Sequence, residues 1–79
     1  MTEQERKVLD FMFDRLGPVS KQALFKELKL NIKSAKHQRK FEILVINKLC
    51  EEQGLINEVL PDSSYCLSPK GRAVMQDAR

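Results

Sequence analysis

Apolar residues recur along this chain at helical spacing in some stretches and at strand spacing in others. Val8, Leu9, Met12, Phe13 and Leu16 form one face of a first helix, expected over Thr2 to Leu16. Thr2 and Glu5 have capping-box spacing at its start, and Gly17 followed by Pro18 is expected to end it. Phe11 falls off the apolar face, as a rim contact or part of an interaction surface. Val19 reads as a very short strand, and Ser20 caps a second helix from Lys21 to Leu28. Ala23, Leu24 and Leu28 make the inner side of that helix, with Phe25 at its border. Leu30 to Lys33 is a turn, and either Asn31 or Ser34 caps the next helix.

The third helix, from Ser34 to Gln53, is the longest and changes character midway. Its first half is polar and basic, and its second is strongly apolar. At about 100° per residue the apolar positions split into two lines. One holds Ile43, Ile46 and Cys50, joined by Leu49; the other holds Phe41, Leu44 and Val45 with the Lys48 stem. One line is expected to face the core and the other to meet a further element or a second subunit. Gly54 suits a helix stop, and Leu55 to Leu60 reads as a strand. Pro61-Asp62-Ser63-Ser64 reverses the chain, and Tyr65-Cys66-Leu67 returns as the pairing strand. Ser68 then caps a last helix, Pro69 to Asp77, with proline at its first position. The expected class is α+β, mostly helical, in one domain over residues 1–79.

Composition narrows the function classes. A chain of 79 residues builds one modest core and leaves little room for a catalytic pocket. No apolar run reaches the length of a membrane span, and the charged, helix-like N-terminus does not read as a signal peptide. The two cysteines, Cys50 and Cys66, are too few for a disulfide framework, which points to a reduced, cytoplasmic protein with both thiols structural. One histidine and no paired cysteines give too few soft ligands for a structural metal, so neither metal nor cofactor is expected. No glycine-rich phosphate loop, catalytic carboxylate pair or nucleophile with a base occurs, and the chain does not read as an enzyme.

Charge is unevenly distributed. The net charge is only +3. The window from Lys21 to Lys40, however, holds seven basic residues and one acid, Glu27, and the remainder is net acidic. Such asymmetry marks a face that meets a polyanion.

Three stretches carry a family resemblance. They are Val8 to Met12 with Gly17-Pro18-Val19-Ser20; the end of helix 3 into Gly54-Leu55-Ile56; and Tyr65-Cys66-Leu67-Ser68-Pro69-Lys70-Gly71-Arg72. The last is similar to a Tyr-x-Leu-Ser/Thr-x-Lys-Gly-Arg signature, and together they resemble the winged helix-turn-helix superfamily of small bacterial and archaeal regulators. The resemblance implies a three-helix core, a short β-hairpin wing and a C-terminal helix. It implies a transcriptional regulator that docks helix 3 in the major groove of double-stranded DNA and works in the cytoplasm at the nucleoid. Lys36, Gln38 and Arg39 are then the residues expected at base edges. Lys21, Lys26, Lys29, Lys33 and Lys40 are expected at phosphates, with hydroxyl help from Ser20 and Ser34. His37 lies in the same segment and reads as a surface polar residue. A homodimer is expected, joined through Phe11, through Val74 and Met75, or through the spare face of helix 3. The turn Pro61–Ser64 has no basic residue, whereas DNA-gripping wings of the family usually carry one. The alternative is a winged-helix module whose partner is a protein.

Overall fold

The computed structural model describes residues 2–15, 17–59 and 64–78. Helix α1 (Glu3–Phe13) begins at Thr2, whose Oγ1 accepts the Glu5 N–H at 3.2 Å and donates to Glu5 Oε1 at 3.0 Å. The expected capping pair is therefore built. The helix ends three residues before the expected Leu16, which itself lies outside the described residues. Its last turn tightens, with Arg15 N–H reaching the Met12 carbonyl. Gly17 therefore lies beyond the helix end rather than at it; Gly54, at φ +65°, has the left-handed conformation that suits a helix stop.

Strand β1 (Val19–Ser20) leads directly into α2 (Lys21–Glu27), capped by Ser20 Oγ. Helix α3 (Ala35–Phe41), capped by Ser34, runs without a break into a π-helical segment, Glu42–Glu52. Strands β2 (Ile56–Val59) and β3 (Ser64–Leu67) and helix α4 (Pro69–Ala78) complete the chain. The three strands form an antiparallel sheet in the order β1-β3-β2, with Val19 opposite Tyr65 and Ile56 opposite Leu67. The architecture is α+β: four helices packed with one three-stranded sheet among the described residues. The expected turn at Pro61–Ser64 lies, except for Ser64, outside the described residues, as does Leu60.

The third helix differs from a uniform α-helix. Gln53 N–H reaches back five residues to the Lys48 carbonyl at 3.0 Å, and Leu55 N–H reaches six, to Leu49, at 2.8 Å. Residues four apart stay within about 40° of one another in either kind of turn, so packing against the rest of the core, not the wider turn, selects the stripe that faces inward. The core takes Phe41, Val45 and Leu49, four apart and drawn from both expected lines. Leu44, Ile46 and Cys50 are half-buried flanks, and Ile43 stays 40% exposed.

The core joins Val8, Leu9 and Met12 of α1 to Leu24, Phe25, Phe41, Tyr65 and Met75. Phe25 is not a border residue. It is buried and stacks on Phe41 at 4.6 Å, and Phe41 meets Tyr65 edge-on at 5.8 Å. The aromatic chain ties α2, α3 and β3 together. Met75 is fully buried, which removes it from any subunit interface.

Ser68 closes the molecule. Its Oγ donates to the Gly54 carbonyl at 2.6 Å and accepts the Gly71 N–H at 3.0 Å, and its own N–H binds the Leu55 carbonyl. A Cβ on Gly71 would strike that same Leu55 carbonyl. The Ser-Pro-Lys-Gly run is thus the contact where α4 meets the end of the π segment, and glycine is required by the closeness of the two backbones.

Candidate nucleic-acid interface

Segment 28–38 is built to hold one shape. Helix α2 ends in a Schellman arrangement: Leu30 N–H binds the Phe25 carbonyl at 2.8 Å and Lys29 N–H binds that of Lys26 at 3.1 Å. The left-handed position of this end, at φ 59°, is occupied by Lys29 rather than by glycine. Asn31 Oδ1 accepts the Lys33 N–H at 2.9 Å, and the Asn31 carbonyl accepts the Ser34 N–H. Asn31 therefore shapes the turn, and Ser34 is the cap of α3, accepting the His37 N–H at 3.3 Å.

Two side chains from α3 fold back and fasten this turn. His37 Nδ1 accepts the Asn31 N–H at 2.8 Å, and Gln38 Nε2 donates to the Ile32 carbonyl at 2.6 Å. His37 is therefore half-buried and structural, not a free surface group. The Nδ1 bond requires the tautomer that carries its proton on Nε2. Gln38 is likewise half-buried, with its amide nitrogen committed to the turn.

The basic residues separate into two groups. Lys26, Lys29, Lys33, Lys36, Arg39 and Lys40 are all exposed, and all lie on the end of α2, the fastened turn or the outer side of α3. Arg39 makes an exposed 3.7 Å ion pair with Glu42, which is too weak to withhold it from a ligand. Lys21 is not part of that group. It is half-buried at the start of α2, and its ammonium lies 5.8 and 5.7 Å from the Phe25 and Phe41 ring centres.

The two flanks of the third helix have opposite character. On one side, a cleft of about 390 Å³ toward the hairpin is lined by Lys21, Gln38, Asn47 and three acids, Glu42, Glu51 and Glu58. Burial and the facing Glu58 carboxylate raise the Tyr65 hydroxyl of this cleft to about 12, so it stays neutral at physiological pH. On the other side, a groove of about 400 Å³ lies between the third helix, the end of α2 and the first turn of α1. It is lined by Leu28, Leu30, Ile43 and Leu44, by Lys40 and Lys48, and by Thr2 and Gln4, with no acid. Sequence reasoning misses this groove because its walls come from three separated segments. From helix 3 it takes Leu44 and Lys48 of the second expected line and Ile43 of the first.

Both cysteines are free and half-buried. Cys66 borders a pocket of about 150 Å³ with Arg15 and Arg72, whose guanidiniums lie over Phe11 and Phe13. No helix among the described residues is long and apolar enough to cross a membrane.

Compared with known proteins, the chain matches no protein family, no curated protein and no solved structure.

Proposed function

We propose that this chain is a winged-helix DNA-binding protein of the regulatory type, and that it meets duplex DNA with segment 26–40. The observation that carries this reading is the fastened α2–α3 turn. Six exposed cations (Lys26, Lys29, Lys33, Lys36, Arg39 and Lys40) sit on one unit whose backbone is pinned by His37, Gln38 and Asn31. A pinned backbone fixes where these side chains start and spares the cost of ordering the turn on binding, leaving only the side chains themselves to be ordered. The order helix, strand, two helices, hairpin, helix, with β1 beside β3, supports the winged-helix arrangement.

In this reading Lys36 and Arg39 are the side chains free to reach base edges, since Gln38 holds the turn. Lys26, Lys29, Lys33 and Lys40 contact phosphates, and the Ser34 hydroxyl, already an acceptor for its helix, has its proton left to donate to one. The acidic cleft keeps phosphates away from the hairpin side, so the hairpin here is a structural closure rather than a second grip. A homodimer would supply two half-sites, with Phe11, Val74 and Ile43 as the apolar residues left near the surface.

Titration of random-sequence duplex DNA against salt tests the proposal. With about four phosphates neutralised, by Lys26, Lys29, Lys33 and Lys40, the log of the binding constant falls with log salt at a slope near −3.6. The triple variant Lys36→Ala/Arg39→Ala/Lys40→Ala, altering only exposed side chains, binds more weakly and flattens the slope by roughly 0.9, the share of Lys40. A flat wild-type response, or equal binding by the triple variant, contradicts the reading.

A further inference from the structure

The groove on the α1 side of the third helix is chemically unlike the basic face beside it. Leu28, Leu30, Ile43 and Leu44 give it an apolar floor, and Ile43 is the one large apolar side chain left 40% exposed among the described residues. Such a floor offers nothing to phosphates or base edges, which seek charge and hydrogen bonds. Its rim carries two exposed ammoniums, Lys40 and Lys48, two turns apart on one helix. The acids of this helix that border a cavity, Glu42 and Glu51, face the opposite cleft.

We propose that this groove takes the apolar face of an acidic amphipathic helix from a protein partner. Charge complementarity selects the occupant: an apolar floor between two lysines, with no carboxylate in its lining, favours leucine-like anchors flanked by glutamate or aspartate. Rim cations spaced along one helix suit acids spaced along another, and apolar anchors at i, i+3 or i+4 and i+7 are how helices occupy such grooves. A basic or uncharged amphipathic helix lacks the matching charge. Lys40 belongs to this rim and to the proposed DNA face alike, so partner and duplex compete for it. The groove assignment stands without the DNA reading; only the competition rests on it.

The probe is a short synthetic amphipathic helix, fluorescently labelled, with leucines at i, i+4 and i+7 flanked by glutamates. Fluorescence anisotropy against wild-type protein is expected to show saturable binding. Ile43→Glu abolishes it, and Lys48→Glu weakens it by about tenfold. Both positions are exposed, and a thermal melt of each variant confirms that it is folded. The same peptide with lysines in place of the glutamates does not bind. Lys48→Glu leaves duplex affinity within about twofold while weakening the peptide about tenfold, because salt screens a two-unit charge change outside segment 26–40; failure of the groove is thereby separated from failure of the DNA reading. Absence of saturable peptide binding overturns the proposal. So does equal binding by Ile43→Glu or by the lysine peptide, or binding of a small amphiphile such as octanoate in place of the peptide.

Discussion

At Lys29 the backbone favours glycine while the proposed DNA contact favours a cation. Its φ of 59° at the end of α2 is a conformation that glycine adopts freely and that strains a side chain by about 1 kcal/mol. A lysine kept there adds a cation to the exposed basic turn. Lys29→Gly is therefore expected to raise stability by about 1 kcal/mol, a gain of roughly 4–8 °C in Tm for a domain of this size. It also makes the salt slope of duplex binding shallower by about 0.9. Lys29→Ala shares the shallower slope without the gain in Tm. Differential scanning calorimetry and salt titration of the two variants check this; a Tm for Lys29→Gly at or below wild type contradicts it. Sequence alone does not disclose this position, because lysine carries no preference for left-handed backbone. The caps at Thr2 and Ser20 were legible, since hydroxyls preceding helical runs act through local geometry, whereas the choice of Ser34 over Asn31 needed the folded turn. His37 was not: its role as acceptor for Asn31 N–H exists only once the turn has folded over α3.

At the level of elements, α1 and the far end of the π segment are tied by one polar contact. Gln53 Nε2 donates to Glu5 Oε2 at 2.7 Å, and Glu5 is a buried carboxylate with Thr2 on its other oxygen. The Gln53 bond holds the Glu5 carboxyl below its ordinary range despite burial, which acts the other way. A carboxyl whose folded value is lowered stabilises fully above its unfolded value, near 4.3, and this contribution is lost as pH falls through the folded value. Gln53→Ala is expected to cost about 2 kcal/mol at neutral pH, and the deficit shrinks as Glu5 is protonated in both proteins. Thermal melts of both proteins from neutral pH downward test this; a deficit independent of pH contradicts it. The elements themselves were mostly readable, down to a strand as short as Val19–Ser20. What was not readable is the hydrogen-bond register of the third helix. Its apolar second half is compatible with α or wider turns, and contacts with Phe25, Tyr65 and the sheet decide which residues turn inward.

The whole molecule presents three surfaces around its third helix: a basic turn and outer ridge, an acidic cleft toward the hairpin and a lysine-rimmed apolar groove toward α1. The concentration of charge between Lys21 and Lys40 was legible as a window of sequence, yet the fold divides it. Lys21 goes to the aromatic core edge beside three glutamates, and the six others stay outside. The acidic cleft and the groove needed the assembled fold, since each draws its walls from segments far apart in the chain. In the proposed reading, segment 26–40 meets DNA and the hairpin is left out. Amide chemical-shift mapping during titration with duplex DNA tests it most directly. Perturbations are expected to concentrate at Lys26, Lys29, Lys33, Ser34, Lys36, Arg39 and Lys40, with β2 and β3 unmoved. Shifts centred on the hairpin, or none at any residue of the turn and α3 at saturating duplex, would contradict it.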